Sequence, residues 1–151
     1  MAKKKLKFTG TINWIKSNYD NEKKEFVRAA GEVSNKSKKI IQENIDYLRD
    51  GYKKSNIVSL SDQDWIKMRN TDSWKTDTLP KVIAQIKKNE AKNKTRDWEA
   101  ILNGFELGRE YAPIAYRRED KILVLIAGNT RLMVCKAYDI KPKIFIIDTD
   151  W

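Results

Sequence analysis

Between Pro113 and Ile147 the chain reads PIAYRREDKILVLIAGNTRLMVCKAYDIKPKIFII, and this stretch limits the possible folds more than any other. Leu123 to Ile126 is continuously apolar, which suits a strand covered on both faces and ending at Gly128. Asn129 or Thr130 can cap a helix carrying Leu132, Met133, Cys135, Lys136 and Ala137. That helix fails at Asp139, and Lys141-Pro142 cannot continue it. Lys143 to Ile147 then has the β-branched and aromatic content of a second buried strand. The stretch therefore predicts strand, tight turn, helix, strand. Upstream, the polar tip Arg117-Arg118-Glu119-Asp120 between apolar runs 112–117 and 121–127 predicts a hairpin.

The turn at 128–131 is where chemistry is concentrated. A helix start leaves backbone N–H groups unpaired and carries partial positive charge, so Gly128, Asn129, Thr130 and Arg131 form a candidate phosphate cradle. Glycine admits an oxygen close to the backbone, Thr130 offers a hydroxyl, and Arg131 a two-pronged guanidinium. An ordinary strand-to-helix turn, with Gly128 chosen for its dihedral angles and Arg131 solvated, accounts for the same four residues.

This corner, preceded by Pro113-Ile114 and the strand Ile122 to Ala127 and followed by Ile140-Lys141-Pro142-Lys143, resembles the ParB/sulfiredoxin superfamily. In that superfamily a strand runs into a Gly-x-x-Arg corner that opens a helix and binds phosphates. "AGNTRLM…IKPK" is similar to small ParB-like proteins of bacteriophages. The resemblance covers about 40 residues of the C-terminal part clearly and the segment from Leu60 more weakly. It implies an α+β fold, a ParB/sulfiredoxin-like core in which a small mixed sheet is covered by helices. Relatives include CTP-binding partition proteins, nucleases, a free-serine kinase and sulfiredoxins. Asn129 and Thr130 stand where sulfiredoxins carry their nucleophilic cysteine, so that activity is not expected. Val134 replaces the alanine of partition proteins and Arg131 stands without a second corner arginine, so CTP specificity does not carry over. No DNA-reading helix-turn-helix is expected after the core.

Thirty-one Lys plus Arg against 21 Asp plus Glu give a net charge of +10, which points to an anionic partner or to a solubilising surface. The single cysteine, Cys135, excludes an intramolecular disulfide and suits a reducing cytoplasm, that of the host if the chain is phage-encoded. With no histidine, Ser-His-Asp and Cys-His catalysis and His-ligated zinc are excluded, which leaves carboxylates as metal ligands. No run is long and apolar enough for a membrane span, and Lys3-Lys4-Lys5 lacks the apolar block of a signal peptide.

The length allows one domain with an appendage, divided here as a basic, largely helical N-terminal extension at 1–56 and the ParB/sulfiredoxin-like domain at 57–151. In the extension, a short strand falls within Lys5 to Ile15, and Glu22 to Ala30 predicts a helix stopped by Gly31. A second helix, capped by Ser34 or Ser37, carries the stripe Ile40, Ile41, Ile45 and Leu48 and ends at Gly51. Lys36 and Lys39 on its flank are candidate nucleic-acid contacts, as are Arg117 and Arg118, although charges of this kind usually form a solvated face.

Ser61 to Asp64 opens a short helix that turns Trp65 and Met68 inward. Next comes Asn70-Thr71-Asp72-Ser73-Trp74, a stretch that resembles one preceding the core in the phage proteins. Asp72 is a candidate base or metal ligand, as Glu119 is a candidate base if the hairpin tip folds over the corner. Asx-turn and capping chemistry explains the same segment. Helices are further predicted from Thr78-Leu79-Pro80 and from Thr95, the latter carrying Trp98, Ile101 and Leu102 with Gly104 near its end. Asp148 and Asp150, one residue apart in an extended strand, are spaced for a divalent cation.

Two classes of function follow. One is an enzyme that binds a nucleotide or nucleic-acid phosphate at the corner and performs phosphoryl transfer or phosphodiester hydrolysis, with a nucleoside triphosphate and Mg²⁺ as expected cofactors. That class requires a carboxylate within about one water of the corner. The other is a non-catalytic accessory protein that uses the same corner and the net positive charge to hold nucleic acid or a protein partner, with basic and aromatic residues around the corner and no carboxylate within reach.

Overall fold

The structure, a computed structural model, describes residues 12–34, 40–68, 98–128, 131, 132, 134, 135 and 140–151. In chain order these form β1 (Asn13–Ile15), α1 (Tyr19–Ser34), α2 (Ile41–Lys54), β2 (Ile57–Ser59), α3 (Asp62–Lys67), α4 (Trp98–Leu107), β3 (Arg109–Tyr111), β4 (Ile114–Arg117), β5 (Leu123–Ala127) and β6 (Lys143–Asp148). Arg131, Leu132, Val134 and Cys135 are helical between β5 and β6. The expected helix from Thr78 and the strand residues before Ile12 lie outside the described residues.

The main sheet has the order β2-β6-β4-β5, with β4 and β6 parallel and the outer pairs antiparallel. A second, two-stranded parallel sheet joins β1 to β3. Helices with a small mixed sheet make the class α+β. The apolar runs are continuous because both faces of the main sheet are covered. Ile114, Tyr116, Phe145 and Ile147 pack with Phe26, Ala29, Ala30, Val33, Leu48 and Tyr52 from α1 and α2. Ala115, Leu123, Leu125 and Ile144 alternate to the opposite face, where they meet Leu60, Met68 and Leu132. Residues 12–56 thus contribute to the same core as the sheet.

Several sequence expectations are corrected here. α1 continues through Gly31 to Ser34, because a close α1–α2 contact rather than a helix stop sits at that glycine: a Cβ there would meet Ile41 Cδ1 at 3.6 Å. α2 starts at Ile41 with Ile40 at its cap position and no side-chain cap, and it runs past Gly51 to Lys54. Its buried stripe is Asn44, Leu48 and Tyr52, whereas Ile40 and Ile41 are 63% and 44% exposed. Gly51 lets α2 lie against β6, since a Cβ there would fall 2.7 Å from Ile147 Cγ2. α4 runs through Gly104 and is ended by Gly108, which has φ 74°.

Ser61 does cap α3, accepting from Asp64 N at 3.1 Å, and Met68 is buried with Trp65 beside it. At the C-terminal end of α2, the Lys16 ammonium donates to the carbonyls of Tyr52 at 2.9 Å and Ser55 at 3.1 Å, where the helix carries partial negative charge. Among the described residues no helix is long and apolar enough to cross a membrane.

Candidate functional site

β5 ends beside the start of β4: Ala127 pairs with Ile114, and the register shifts between Ile114 and Ala115, a bulge that re-aims the strand just before the corner. Gly128 follows with φ 99°, a conformation open chiefly to glycine, and an added Cβ would press on Pro113 Cα at 3.1 Å. Leu132 N donates to Gly128 O at 2.8 Å, closing the first helical turn. The predicted strand ends as expected before Gly128, and the described residues 131, 132, 134 and 135 beyond it are helical. Asn129 and Thr130 lie outside the described residues.

Arg131 turns inward and not to bulk solvent. Its side chain is 13% exposed, and its Nη2 lies 3.7 Å from Glu22 Oε1 on α1, whose side chain is 16% exposed. At that separation the pair is electrostatic without a good hydrogen bond. Glu22 Oε1 also accepts from Ser17 Oγ at 3.1 Å, and the backbone carbonyl of Ser17 accepts from Tyr52 Oη at 2.6 Å. Burial, followed by the charge of Glu22, pushes the Tyr52 phenol up to about 12, so it stays a donor. The Arg131 guanidinium also sits 5.8 Å from the centre of the Tyr111 ring. Its Nε is buried and has no hydrogen-bond partner.

A second carboxylate is buried on β3. Glu110, on β3 two residues before the turn into β4, is 8% exposed. Its Oε1 accepts from Tyr111 N at 3.2 Å, while Oε2 is buried without a partner. Gly104 makes the room for it, since a Cβ on that residue would collide with Oε2. Burial raises the Glu110 carboxyl above its ordinary range, and the Tyr111 N–H and the charge of Arg131 draw it partly back. Among the described residues Glu22 is the carboxylate that pairs with Arg131, while Arg131 Nε and Glu110 Oε2 are each buried without a partner.

The other candidates fall elsewhere. Arg117, Arg118, Glu119 and Asp148 gather at the far end of the β4–β5 hairpin, because Arg117 pairs with Leu123 and Asp148 while the corner adjoins Ile114. The tip does not fold over the corner, so Glu119, exposed and with its N–H donating to Trp151 O, is not placed as a base there. Arg117 pairs with Asp64 at 3.2 Å and Arg118 with Asp120, so each of these two expected nucleic-acid contacts already has an acidic partner. Asp148 and Asp150 follow the same end of β6, three or more residues beyond the corner at roughly 3.3 Å per residue, too far to share an ion with a phosphate at Gly128. They do not fit the Mg²⁺ of the expected reaction. Among the described residues no group of three or more His, Cys, Asp or Glu is placed to hold a metal. Cys135 is buried beside Phe105 and Val134, as a small apolar side chain is. Lys36, Lys39 and Asp72 lie outside the described residues.

Glu22 and Glu110 were not singled out in the sequence. Glu22 is one of several charges in a Lys/Glu-rich helix and meets Arg131 only through the tertiary fold. Glu110 carries a faint signal, an acid directly before the apolar run that begins at Ala112. Compared with known proteins, no family model matches the chain, and no curated protein or solved structure matches it either.

Proposed function

We propose that the chain is a phosphate-binding protein with a ParB/sulfiredoxin-like core, acting on nucleotide or nucleic acid in a reducing cytoplasm through the Gly128–Arg131 corner. One observation carries the enzymatic form of this reading: a largely buried carboxylate, Glu22, stands 3.7 Å from the corner arginine. A purely electrostatic nucleic-acid platform has no use for acids at its central cation, whereas phosphoryl transfer or phosphodiester hydrolysis needs a group that accepts a proton. The Arg131 Nη2 lies over Gly128, 3.3 Å from where a Cβ would stand, and the partnerless Nε–H is the donor proposed for an oxyanion. Glu22, beside that guanidinium, is the candidate proton acceptor. A nucleoside triphosphate carrying its own Mg²⁺ is the candidate small substrate.

Thermal shifts against ATP, CTP, phosphate and short DNA, each with and without Mg²⁺, test the reading. A stabilising shift that disappears in Arg131→Ala is expected. The non-catalytic alternative, a nucleic-acid- or partner-binding accessory protein, has the net charge of +10 in its favour. It predicts DNA binding at the same corner that is steeply salt-dependent, weakened by Arg131→Ala, and accompanied by no turnover of nucleotide or DNA.

A further inference from the structure

β6 is longer than its partner on one side, and the difference leaves a cleft. β2 pairs with Lys143, Ile144 and Phe145 and goes no further, while β4 follows β6 to Asp148. Beside the unmatched half lies α2, and together they bound a cleft of about 460 Å³, lined by Tyr47, Asp50 and Lys54 from the helix and by residues 146–148 from the strand. Phe145 N donates to Pro113 O and Thr149 N to Arg117 O, so the odd-numbered residues of this stretch turn their backbone groups towards β4. By alternation Ile146 and Asp148 turn theirs to the side that β2 leaves open. Tyr47 Oη donates to Asp148 O at 2.8 Å, in keeping with that direction. The Ile146 C=O and the Asp148 N–H are the acceptor and donor that remain on this edge.

We propose that this cleft receives the C-terminal tail of a partner protein as an extended strand antiparallel to β6, with a basic side chain third from the tail's end. An added strand satisfies an open edge, giving a carbonyl to the Asp148 N–H and an N–H to the Ile146 C=O. Residues 146–148 span roughly 10 Å, so three residues of the tail fill the cleft. Past Ile146 the strand position belongs to the chain itself, where Ser55 at the end of α2 leads into β2, and the tail must stop there. α2 runs against β6, Tyr47 meeting Asp148 and Gly51 meeting Ile147, which carries Lys54 to that closed end. Its exposed ammonium selects a carboxylate over an N-terminal amine, and this sets the antiparallel sense, the same as that of β2. The opposite end is acidic. Asp148, whose side chain is 88% exposed with Arg117 Nε at 3.9 Å, falls across from the third residue of the tail counted from its end. Asp50, already paired with Arg49 at 3.1 Å, adds less. These acids disfavour a nucleic-acid phosphate here in spite of the net charge of +10. The cleft lies towards the opposite end of β6 from the Gly128–Arg131 corner, and its occupancy neither requires nor excludes an anion there.

Fluorescence anisotropy of the full chain with labelled hexapeptides tests this. The first peptide ends in Lys-Ala-Val with a free carboxylate, the second is its C-terminal amide, and the third has Glu in place of Lys. The first should bind most tightly. Amidation should weaken binding about three- to fivefold, the size of an exposed ion pair, and Glu should weaken it further because attraction becomes repulsion. Asp148→Lys should invert the preference between the Lys and Glu peptides, and Lys54→Glu should remove the advantage of carboxylate over amide. Both positions are exposed, so the variants keep the fold, as far-ultraviolet ellipticity checks. Equal affinity for the three peptides, a preference for Lys that survives Asp148→Lys, or no binding of any peptide to the natural chain would overturn the assignment. Displacement of the first peptide by short duplex DNA as readily as by unlabelled peptide would give the cleft to nucleic acid and overturn it too.

Discussion

Arg131 ties together parts of the chain that are far apart in sequence, and its substitution should separate structural from binding roles. Arg131→Ala removes the partner of a largely buried Glu22 and a contact with the Tyr111 ring. The ion pair is long, so the expected loss of stability is modest, about 1–2 kcal/mol, readable as a lower urea midpoint at unchanged slope. Binding should suffer more, roughly ten- to hundredfold, because a charge-assisted hydrogen bond to a phosphate oxygen contributes about 1.5–3 kcal/mol. Phosphate affinity that is unaltered in a folded variant would refute the assignment of this residue. Glu110 bears on stability in the opposite pH direction from most acids. Because its folded carboxyl is raised by burial, the native state holds the proton more tightly than the unfolded chain does. That contribution is complete below the ordinary carboxylate range and is lost as pH rises through the raised value. Glu110→Gln cannot ionise, so the difference in urea midpoint between variant and natural chain should move in the variant's favour over that same rise.

At the scale of elements, two glycines in similar helical settings should respond with opposite signs. Helix propensity alone favours alanine over glycine by about 1 kcal/mol at an interior position. At Gly31 the new methyl group would find Ile41 Cδ1 at 3.6 Å, an ordinary contact, so Gly31→Ala should raise stability by about 0.5–1 kcal/mol. At Gly51 it would fall 2.7 Å from the branched methyl of the buried Ile147, where overpacking costs about 1–3 kcal/mol and outweighs the propensity gain. Gly51→Ala should therefore lower the thermal midpoint where Gly31→Ala raises it. Equal shifts in one direction would mean that α2 does not lie against β6 as described. The same two residues show what the sequence conceals. Glycine near the end of an apolar stripe reads as a helix stop, yet α1 continues through Gly31, and Gly51 marks close packing against β6, far along the chain. Signals carried by neighbours were legible: the Ser61 cap, the β4–β5 hairpin and the turn at Gly128 depend on residues within a few positions of one another. β2 and β3, three residues each, form only by pairing with β6 and β1 and have no periodicity of their own. Glu22 and Glu110 were hidden for the same reason, since what distinguishes them from other surface acids is a partner brought in by the fold.

For the whole molecule, the decisive feature is that α1 contributes to both the core and the corner. Phe26, Ala29, Ala30 and Val33 cover one face of the sheet, while Glu22, on the same helix, reaches Arg131. Arg28 strengthens the attachment by donating to Ile126 O at 2.7 Å on the outer strand β5, with its own charge offset by Glu25 and Glu32. A helix fixed this way cannot leave without exposing the sheet and unpairing the corner, so α1, α2 and the main sheet should unfold as one unit. Loss of far-ultraviolet ellipticity and of tryptophan fluorescence in urea should then give superimposable transitions. Phe26→Ala, which empties a fully buried aromatic site between α1 and Tyr52, should cost about 3–5 kcal/mol and shift both transitions together. Anion affinity, measured where the variant is still folded, should fall as well, because the helix that carries Glu22 loses its anchor. If the helices instead melted ahead of the sheet, with the anion site intact after their loss, residues 12–54 would be an independent appendage and Glu22 would have no part in the site.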